Sequence, residues 1–373
     1  MLARRKSYLG VLIVPALSIL LALLVASVLL IFSGLLGPEG KINLTLPLVA
    51  YRSLLLGALG NFKGIANMIV AAAPLMLTGL AVGVGLKAGL FNIGATGQVL
   101  LGGFTAALVG VLMAGTSPFI AIPVAMLGGM LAGALAGFIP GWLKAYTGAH
   151  EVVTTIMLNA FIQLTVSGLV NDIFRAPGFS FARTAPVGNA ALTGIGGTTL
   201  HVGVFFALIC IPLSYWLLSR TTVGFEIRAV GANPTAALYA GMKPRRMMIL
   251  TMLLCGAFAG LAGSIEVLRL GYYPAVFGTS IGFDGITVAL LGQSSPIGIM
   301  FSALLLGAMR AGAPLMQIQA RVPVEIIDVI QGVILIFLAA EIIVRQIFKL
   351  KTTDTGAGEF QTITRTYGEK VVG

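Results

Sequence analysis

Charge is scarce in this chain: Asp, Glu, Lys and Arg make up 9% of its 373 residues, against roughly 25% in soluble domains. A water-facing surface cannot be built from so few charges, which excludes a soluble single-core domain. Cysteine is scarcer still. Cys210 and Cys255 lie inside apolar runs, so there is neither a disulfide framework nor a thiol metal cluster. The two histidines, His150 and His201, belong to no HExxH, and the acidic residues are scattered rather than grouped like metal ligands. Polar low-complexity sequence is also lacking, which excludes disorder. What remains is apolar: 58% hydrophobic residues, 49 glycines and a mean hydropathy of +1.02. The net charge of +11 then reads as Lys and Arg retained on the cytoplasmic side of a membrane rather than as a nucleic-acid surface. The fold class is an all-α integral membrane protein.

A membrane span needs about 20 mostly apolar residues. Such stretches fall near 10–33, 66–86, 92–115, 119–142, 152–171, 200–219, 247–269, 278–293, 296–313 and 323–346. The first follows Arg4, Arg5 and Lys6 but is too long for a signal peptide and lacks a clear cleavage site, so it is expected to be retained. The eighth and ninth are short and Gly-interrupted. The expected architecture is therefore a polytopic bundle of about eight to ten transmembrane helices, some of them broken. With the N-terminus inside, the inner segments hold 15 Lys and Arg and the outer ones 8, and both termini are cytosolic. Trp142 and Trp216 then sit at inner span ends. The chain divides into a cytosolic N-terminus (1–9), a membrane domain (10–346) and a polar cytosolic tail (347–373). Within the membrane domain, 37–65 is an outer connection with a weakly amphipathic stretch at Tyr51–Leu59. Residues 172–199 form an outer loop, and 220–246 the longest inner loop.

Gly129, Gly133, Gly137 and Gly141 recur every four residues, and Gly79/Gly83, Gly85/Gly89 and Gly256/Gly260 share that spacing. Bare backbone stripes let helices approach closely in lipid. Gly83–Ala88 also matches GxGxxA, but no soluble strand precedes it, so a dinucleotide site is rejected. There is no GxxxxGK[ST], so the chain is not expected to hydrolyse nucleotide or to act as an enzyme. Passage of something across the membrane is the remaining task.

Three segments carry candidate chemistry. In 85–103, Gly89, Gly94 and Gly97 interrupt a helix while Asn92, Thr96 and Gln98 bring amides and a hydroxyl. Irregular backbone in a membrane must be buried in protein or line an aqueous cavity, so this is either a lined pathway or a kink bonded across a helix interface. Residues 280–299 repeat the pattern, and two Gly-broken segments in the two halves of a transporter point to its pathway. Asp284 there is either a helix cap or a pathway residue. Glu266 is either a pathway acid or an interface charge paired with Arg269. In the inner loop 219–250, Arg220, Arg228, Lys243, Arg245 and Arg246 face one acid, Glu226. Asn233 as cap and Pro234 as first residue start a short helix near 235–240 that Gly241 and Pro244 end. Its alanines, Ala236, Ala237 and Ala240, leave room for a docked partner. A loop that only touches anionic headgroups needs no such bounded helix.

Thr235–Gly241 keeps the AAxxxG spacing of the coupling motif of bacterial ABC importer permeases, with Thr235 in place of the leading Glu and without the distal Leu-Pro. Together with FNIGATGQ (91–98), GAHEVVTTIMLN (148–159), EIRAVGANPTAALYAGM (226–242) and GFDGITVALLG (282–292), it resembles the sugar and branched-chain amino-acid branch of these permeases. Within that branch it is most similar to nucleoside-type permeases working with basic-membrane-protein-type lipoproteins. Many relatives carry Glu where this chain has Thr96. The resemblance implies a permease subunit driven by a separate ABC ATPase, fed by an extracytoplasmic substrate-binding lipoprotein, in the bacterial inner membrane. It implies a second permease subunit, different or identical, a small-molecule substrate and no nucleic acid. No cofactor is expected in this chain, ATP belonging to the ATPase. Phe91, Asn92, Gln98, Asn159 and Asp284 are the expected pathway residues. Glu226, Arg228, Gly231, Asn233, Pro234, Ala236, Ala237 and Gly241 are the expected coupling residues. A permease for ribose-like sugars, or an ion-coupled secondary transporter, is the alternative.

Overall fold

The computed structural model describes residues 16–32, 43–278, 280–323 and 325–339. The expected N-terminus 1–9, the tail 347–373 and their sides of the membrane lie outside the described residues, as do 10–15 and 340–346 of the first and last spans. The elements are α-helices: α1 (Ala16–Phe32), α2 (Leu46–Leu59), α3 (Phe62–Lys87), α4 (Ala95–Leu112), α5 (Pro118–Thr147), α6 (Glu151–Asp172), α7 (Val202–Arg220), α8 (Thr222–Ala232), α9 (Pro234–Tyr239), α10 (Pro244–Leu270), α11 (Ser280–Leu291), α12 (Pro296–Ala320) and α13 (Ile326–Ala339). Among the described residues, seven of these (α3, α4, α5, α6, α7, α10 and α12) are long and apolar enough to cross a membrane.

Every expected span contains an apolar helix, but α1, α11 and α13 are shorter than 18 residues as described. The segment 278–293 forms a helix of 12 residues, about 18 Å at 1.5 Å per residue, against a hydrocarbon core of about 30 Å. The chain then turns at once, with positive φ at Gln293 and Ser294. Gly292 packs on the backbone of Gly298 and Ile299, so α12 starts folded back on the end of α11. Two helices were not anticipated. α2 stands where a weakly amphipathic connection was expected, and α8 fills the first part of the inner loop.

The chain divides into two compact units. One comprises the described residues up to Ala71 and from Leu304 onward. Its core joins Ala22, Ala26 and Leu30 of α1 to Ala50 and Leu54 of α2, to Met309, Ala313 and Met316 of α12 and to Ile327, Ile330 and Ile334 of α13. Tyr51 donates a 2.7 Å hydrogen bond to the Leu23 carbonyl, and a methyl group on Gly57 would lie 2.9 Å from Gly312 Cα.

The second unit runs from Ala72 to Ala303 and is built on α4, α5 and α10. The four-residue glycine repeat of α5 is its seam. A methyl group on Gly133 would sit 2.6 Å from Gly260 Cα of α10, and one on Gly141 2.8 Å from the Met252 side chain. Gly102 of α4 also meets Gly260. Lipid offers no hydrophobic drive for helix association, so close backbone packing of this kind has to supply it. Residues 176–192 lie against the C-terminal end of α10 and the segment 271–275, through Thr184 N–H to Tyr273 O, Ala275 N–H to Ala182 O and Leu192 N–H to Leu268 O, each 2.9 Å. Glu266 pairs with Arg269 one turn on in α10, which fits the interface-charge reading.

Candidate functional site

The link between α3 and α4, residues 88–94, is irregular but inside the protein. Ala88, Leu90 and Asn92 are all buried. Gly89 takes φ +70°, a value that L side chains rarely adopt, and turns the chain so that the Leu90 N–H reaches the Gly85 carbonyl at 2.9 Å. Gly97 does not interrupt the helix, contrary to expectation. It lies in the first turn of α4 and is small because Asn159 is close: a methyl there would sit 2.8 Å from Asn159 Oδ1.

Three of the expected pathway residues hold this link in place. Asn92 and Gln98 are buried and exchange hydrogen bonds, Asn92 Nδ2 donating to Gln98 Oε1 at 3.0 Å and Gln98 Nε2 to Asn92 Oδ1 at 3.2 Å. Asn159 of α6 accepts from the Gly97 N–H at 2.8 Å and donates to the Ile93 carbonyl at 2.9 Å. The first N–H groups of any helix lack intrahelical partners, and Gly94 at the start of α4 offers no side chain to cap them. Asn159 supplies the cap from a different helix. Phe91 is half-buried in the same link.

The second Gly-broken segment meets the first. Gly282 of α11 abuts the backbone and hydroxyl of Thr96, and a methyl on Gly285 would lie 2.7 Å from Thr78 Cβ of α3. Gly79 faces Val288 at 2.6 Å and Gly83 faces Ile299 at 2.7 Å by the same measure. The Thr96 hydroxyl is buried without a hydrogen-bond partner among the described residues. Asp284 is half-buried and does not cap α11. The helix begins at Ser280, with no acid in its first turn, so position 284 lies past the free N–H groups.

At the end of the second unit that carries α8 and α9, the short helix forms as expected, one residue earlier. Asn233 accepts from the Ala236 N–H at 2.9 Å, Pro234 is the first residue, and Gly241 at φ +83° ends the turn. α8 is capped by Thr221, whose hydroxyl accepts from Gly224 N–H at 3.0 Å. It buries one stripe, Gly224, Ile227 and Val230, and leaves Arg228 exposed and Glu226 half-exposed on its other side. Arg228 Nε donates to the Gly224 carbonyl at 3.3 Å. Ala236 and Ala240 are exposed but Ala237 is buried, so the three alanines do not share one open face. Leu238 and Tyr239, 58% and 88% exposed, project from this end together with Phe225. The expected set of residues did not include these large exposed side chains, because it was drawn from the small ones.

Two further contacts tie this end together. Lys144 of α5 pairs with the buried Glu151 at the start of α6, Nζ to Oε2 2.9 Å, and the Arg245 guanidinium lies 5.7 Å from the Tyr146 ring. Gly231, at the end of α8, packs on the backbone of Lys87 and Ala88, and a methyl on Gly89 would sit 3.2 Å from the Gly231 carbonyl. Among the described residues no three His, Cys, Asp or Glu side chains converge as metal ligands.

Residues 64–339 match the family described as branched-chain amino acid transport system / permease component. Over 348 residues the chain is 37% identical to the guanosine ABC transporter permease protein NupP of Bacillus subtilis, covering 91% of this chain and 97% of that one. It is 34% identical over 312 residues to the nucleoside ABC transporter permease protein NupB of Lactococcus lactis, 80% and 85% of the two chains. It is 32% identical over 338 residues to the glucose ABC transporter permease protein TsgB13 of Haloferax volcanii, 87% and 86% of the two chains.

Proposed function

The chain belongs to the branched-chain amino acid transport system / permease component family, and from that premise we propose that it is the membrane subunit of an ABC importer for nucleosides. The observation that carries the substrate class is the likeness, over most of the chain, to two permeases named for guanosine and for nucleosides. A nucleoside also suits the residue types near the break, since Phe91 offers a ring for a base to stack on. In this reading Asn92, Gln98 and Asn159 hold the backbone around the pathway, while Phe91 and Asp284 are the residues that meet the substrate.

The ATPase seats on Phe225, Glu226, Arg228, Ala236, Leu238 and Tyr239, with Asn233, Pro234 and Gly241 shaping the short helix and Ala237 anchoring it. That face is cytosolic in this reading, which its cluster of Lys and Arg supports. ATP binds to the partner, and this chain supplies no cofactor. A substrate-binding lipoprotein delivers nucleoside from outside, and a second permease subunit, different from this one, completes the pathway. The segments 1–9 and 347–373 flank the permease domain, 10–346, on the cytosolic side.

The test is reconstitution in proteoliposomes with the ATPase, the second permease and the binding protein. ATP-dependent guanosine uptake that other nucleosides compete and glucose does not is the expected result. Glucose uptake in its place favours the sugar reading, for which the likeness to TsgB13 speaks. Accumulation driven by a proton or sodium gradient without the ATPase sinks the importer reading altogether.

A further inference from the structure

We infer that Gly231 and Gly89 form a backbone joint through which movement of the ATPase-docking segment reaches the broken link between α3 and α4. This rests on the proposed docking of an ATPase at α8 and α9, and adds the route by which that docking acts.

Both sides of the joint are bare. A methyl on Gly231 would lie 2.9 Å from Ala88 Cα and would collide with the Lys87 carbonyl, and one on Gly89 would lie 3.4 Å from Gly231 Cα. No side chain can stand between the two backbones. A displacement of α8 therefore cannot be absorbed by a rotamer change, as it can where side chains mediate a contact.

Each flank is anchored. On one side, α8 is held to the unit by buried Ile227 and Val230, so its last turn moves with the helix. Gly231 lies two residues before Asn233, the cap of the docking helix α9. On the other side, the turn at Gly89 is closed by the Leu90 N–H to Gly85 O bond, and three residues later comes the Asn92–Gln98 amide pair. Asn159 then fastens Ile93 and Gly97 to α6. A push at Gly231 thus meets a link whose next fixed points are the start of α4 and the side of α6. Packed elements of this kind switch between discrete arrangements rather than deform smoothly. Gly89 and Gly231 are positioning residues in this scheme, since neither touches substrate or ATPase.

Spatial adjacency alone does not establish coupling, so the test measures it. In the assembled wild-type transporter, hydrogen–deuterium exchange is compared between the nucleotide-free and the vanadate-trapped states. Protection of amides 229–233 and 88–97 is expected to change together. Change at 229–233 with 88–97 unmoved overturns the joint and leaves the docking proposal standing. If neither segment changes, and Tyr239→Ala leaves co-purification of the ATPase intact, the docking proposal falls and the joint with it. As a second measurement, Gly231→Ala is expected to keep the ATPase bound while lowering nucleoside moved per ATP hydrolysed about tenfold, the scale of ordinary site-to-site coupling. Wild-type stoichiometry in that variant overturns the joint. Should the variant not assemble, the exchange comparison on the wild type decides by itself.

Discussion

The two Gly-broken segments share a sequence pattern and are held in place by different physics. The link before α4 is pinned by directed bonds. Asn92 and Gln98 satisfy each other, and Asn159 caps a helix to which it does not belong. The segment around α11 is held by shape, with Gly282 on Thr96, Gly285 on Thr78 and a tight turn at Gln293 and Ser294 into α12. Directed bonds fix position and orientation and are lost one at a time. A steric fit tolerates polar or apolar neighbours alike but has no room for an added carbon. The same four-letter alphabet of Gly, amide, aromatic and aliphatic residues therefore encodes one region that breaks by deletion and one that breaks by insertion.

The steric side carries the largest expected effect. Gly282→Leu drives a side chain into the Thr96 backbone, where no flexible group can yield. Overpacking of a close-packed site costs about 1–3 kcal/mol or more, so the thermal midpoint in detergent should fall by the most in the set. A wild-type midpoint would mean that α11 can slide away from α4, and the contrast between the two regions would lose its steric half. Asn159→Ala comes next. It removes a cap from the Gly97 N–H and a donor from the Ile93 carbonyl, and loss of a cap costs about 0.5–2 kcal/mol. Asn159→Asp should recover part of that loss, because a carboxylate still accepts from an N–H at a helix start. Equal loss in both variants would show that the cap is not what Asn159 provides.

A double-mutant cycle sharpens the directed-bond half. Asn92→Leu alone leaves the buried Gln98 amide without its partner, at a cost of about 1–3 kcal/mol, whereas replacing both amides by apolar groups of similar size can be nearly neutral. The cycle should therefore show a coupling energy of about 1 kcal/mol in urea or thermal unfolding. Strict additivity would mean that water, not the partner amide, satisfies each side chain.

Much of this was legible in the residues, and the remainder was hidden for physical reasons. The short helix α9 could be read because its start and stop are local: Asn233 caps, Pro234 begins, and Gly241 takes the left-handed turn. The glycine seam of α5 could be read because its period is local too, although its partners on α10 could not. α8 was overlooked because its charged face looks like a loop. Yet Thr221 as cap, followed by Gly224, Ile227 and Val230 three residues apart, carried a readable sign. The role of Asn159 was beyond reach, since it caps a backbone group 62 residues away in the chain. For Asp284 the residues alone left cap and pathway both open, because one turn of helix separates a dipole-stabilised acid from one that is not, and the start of α11 at Ser280 puts it past that turn. Contacts between backbones, such as Gly231 with Gly89, leave only a glycine as their trace, and glycine has many other uses.

The smallest expected effect lies where the two regions touch. Thr96 belongs to the directed-bond segment by position, yet its hydroxyl has no hydrogen-bond partner among the described residues and presses against Gly282 of the steric segment. Its contribution is thus one of shape. Thr96→Val keeps the branched outline and removes a buried polar atom whose burial is not compensated, a change worth about 0.5–2 kcal/mol in favour of the apolar form on scales that count partial solvation. The midpoint should therefore hold steady or rise slightly. Thr96→Ser keeps the hydroxyl but loses the methyl, and should be the less stable of the two. If the order is reversed, the hydroxyl has a partner in the working protein, and the contact between α4 and α11 is a polar one that belongs with the amides rather than with the glycines.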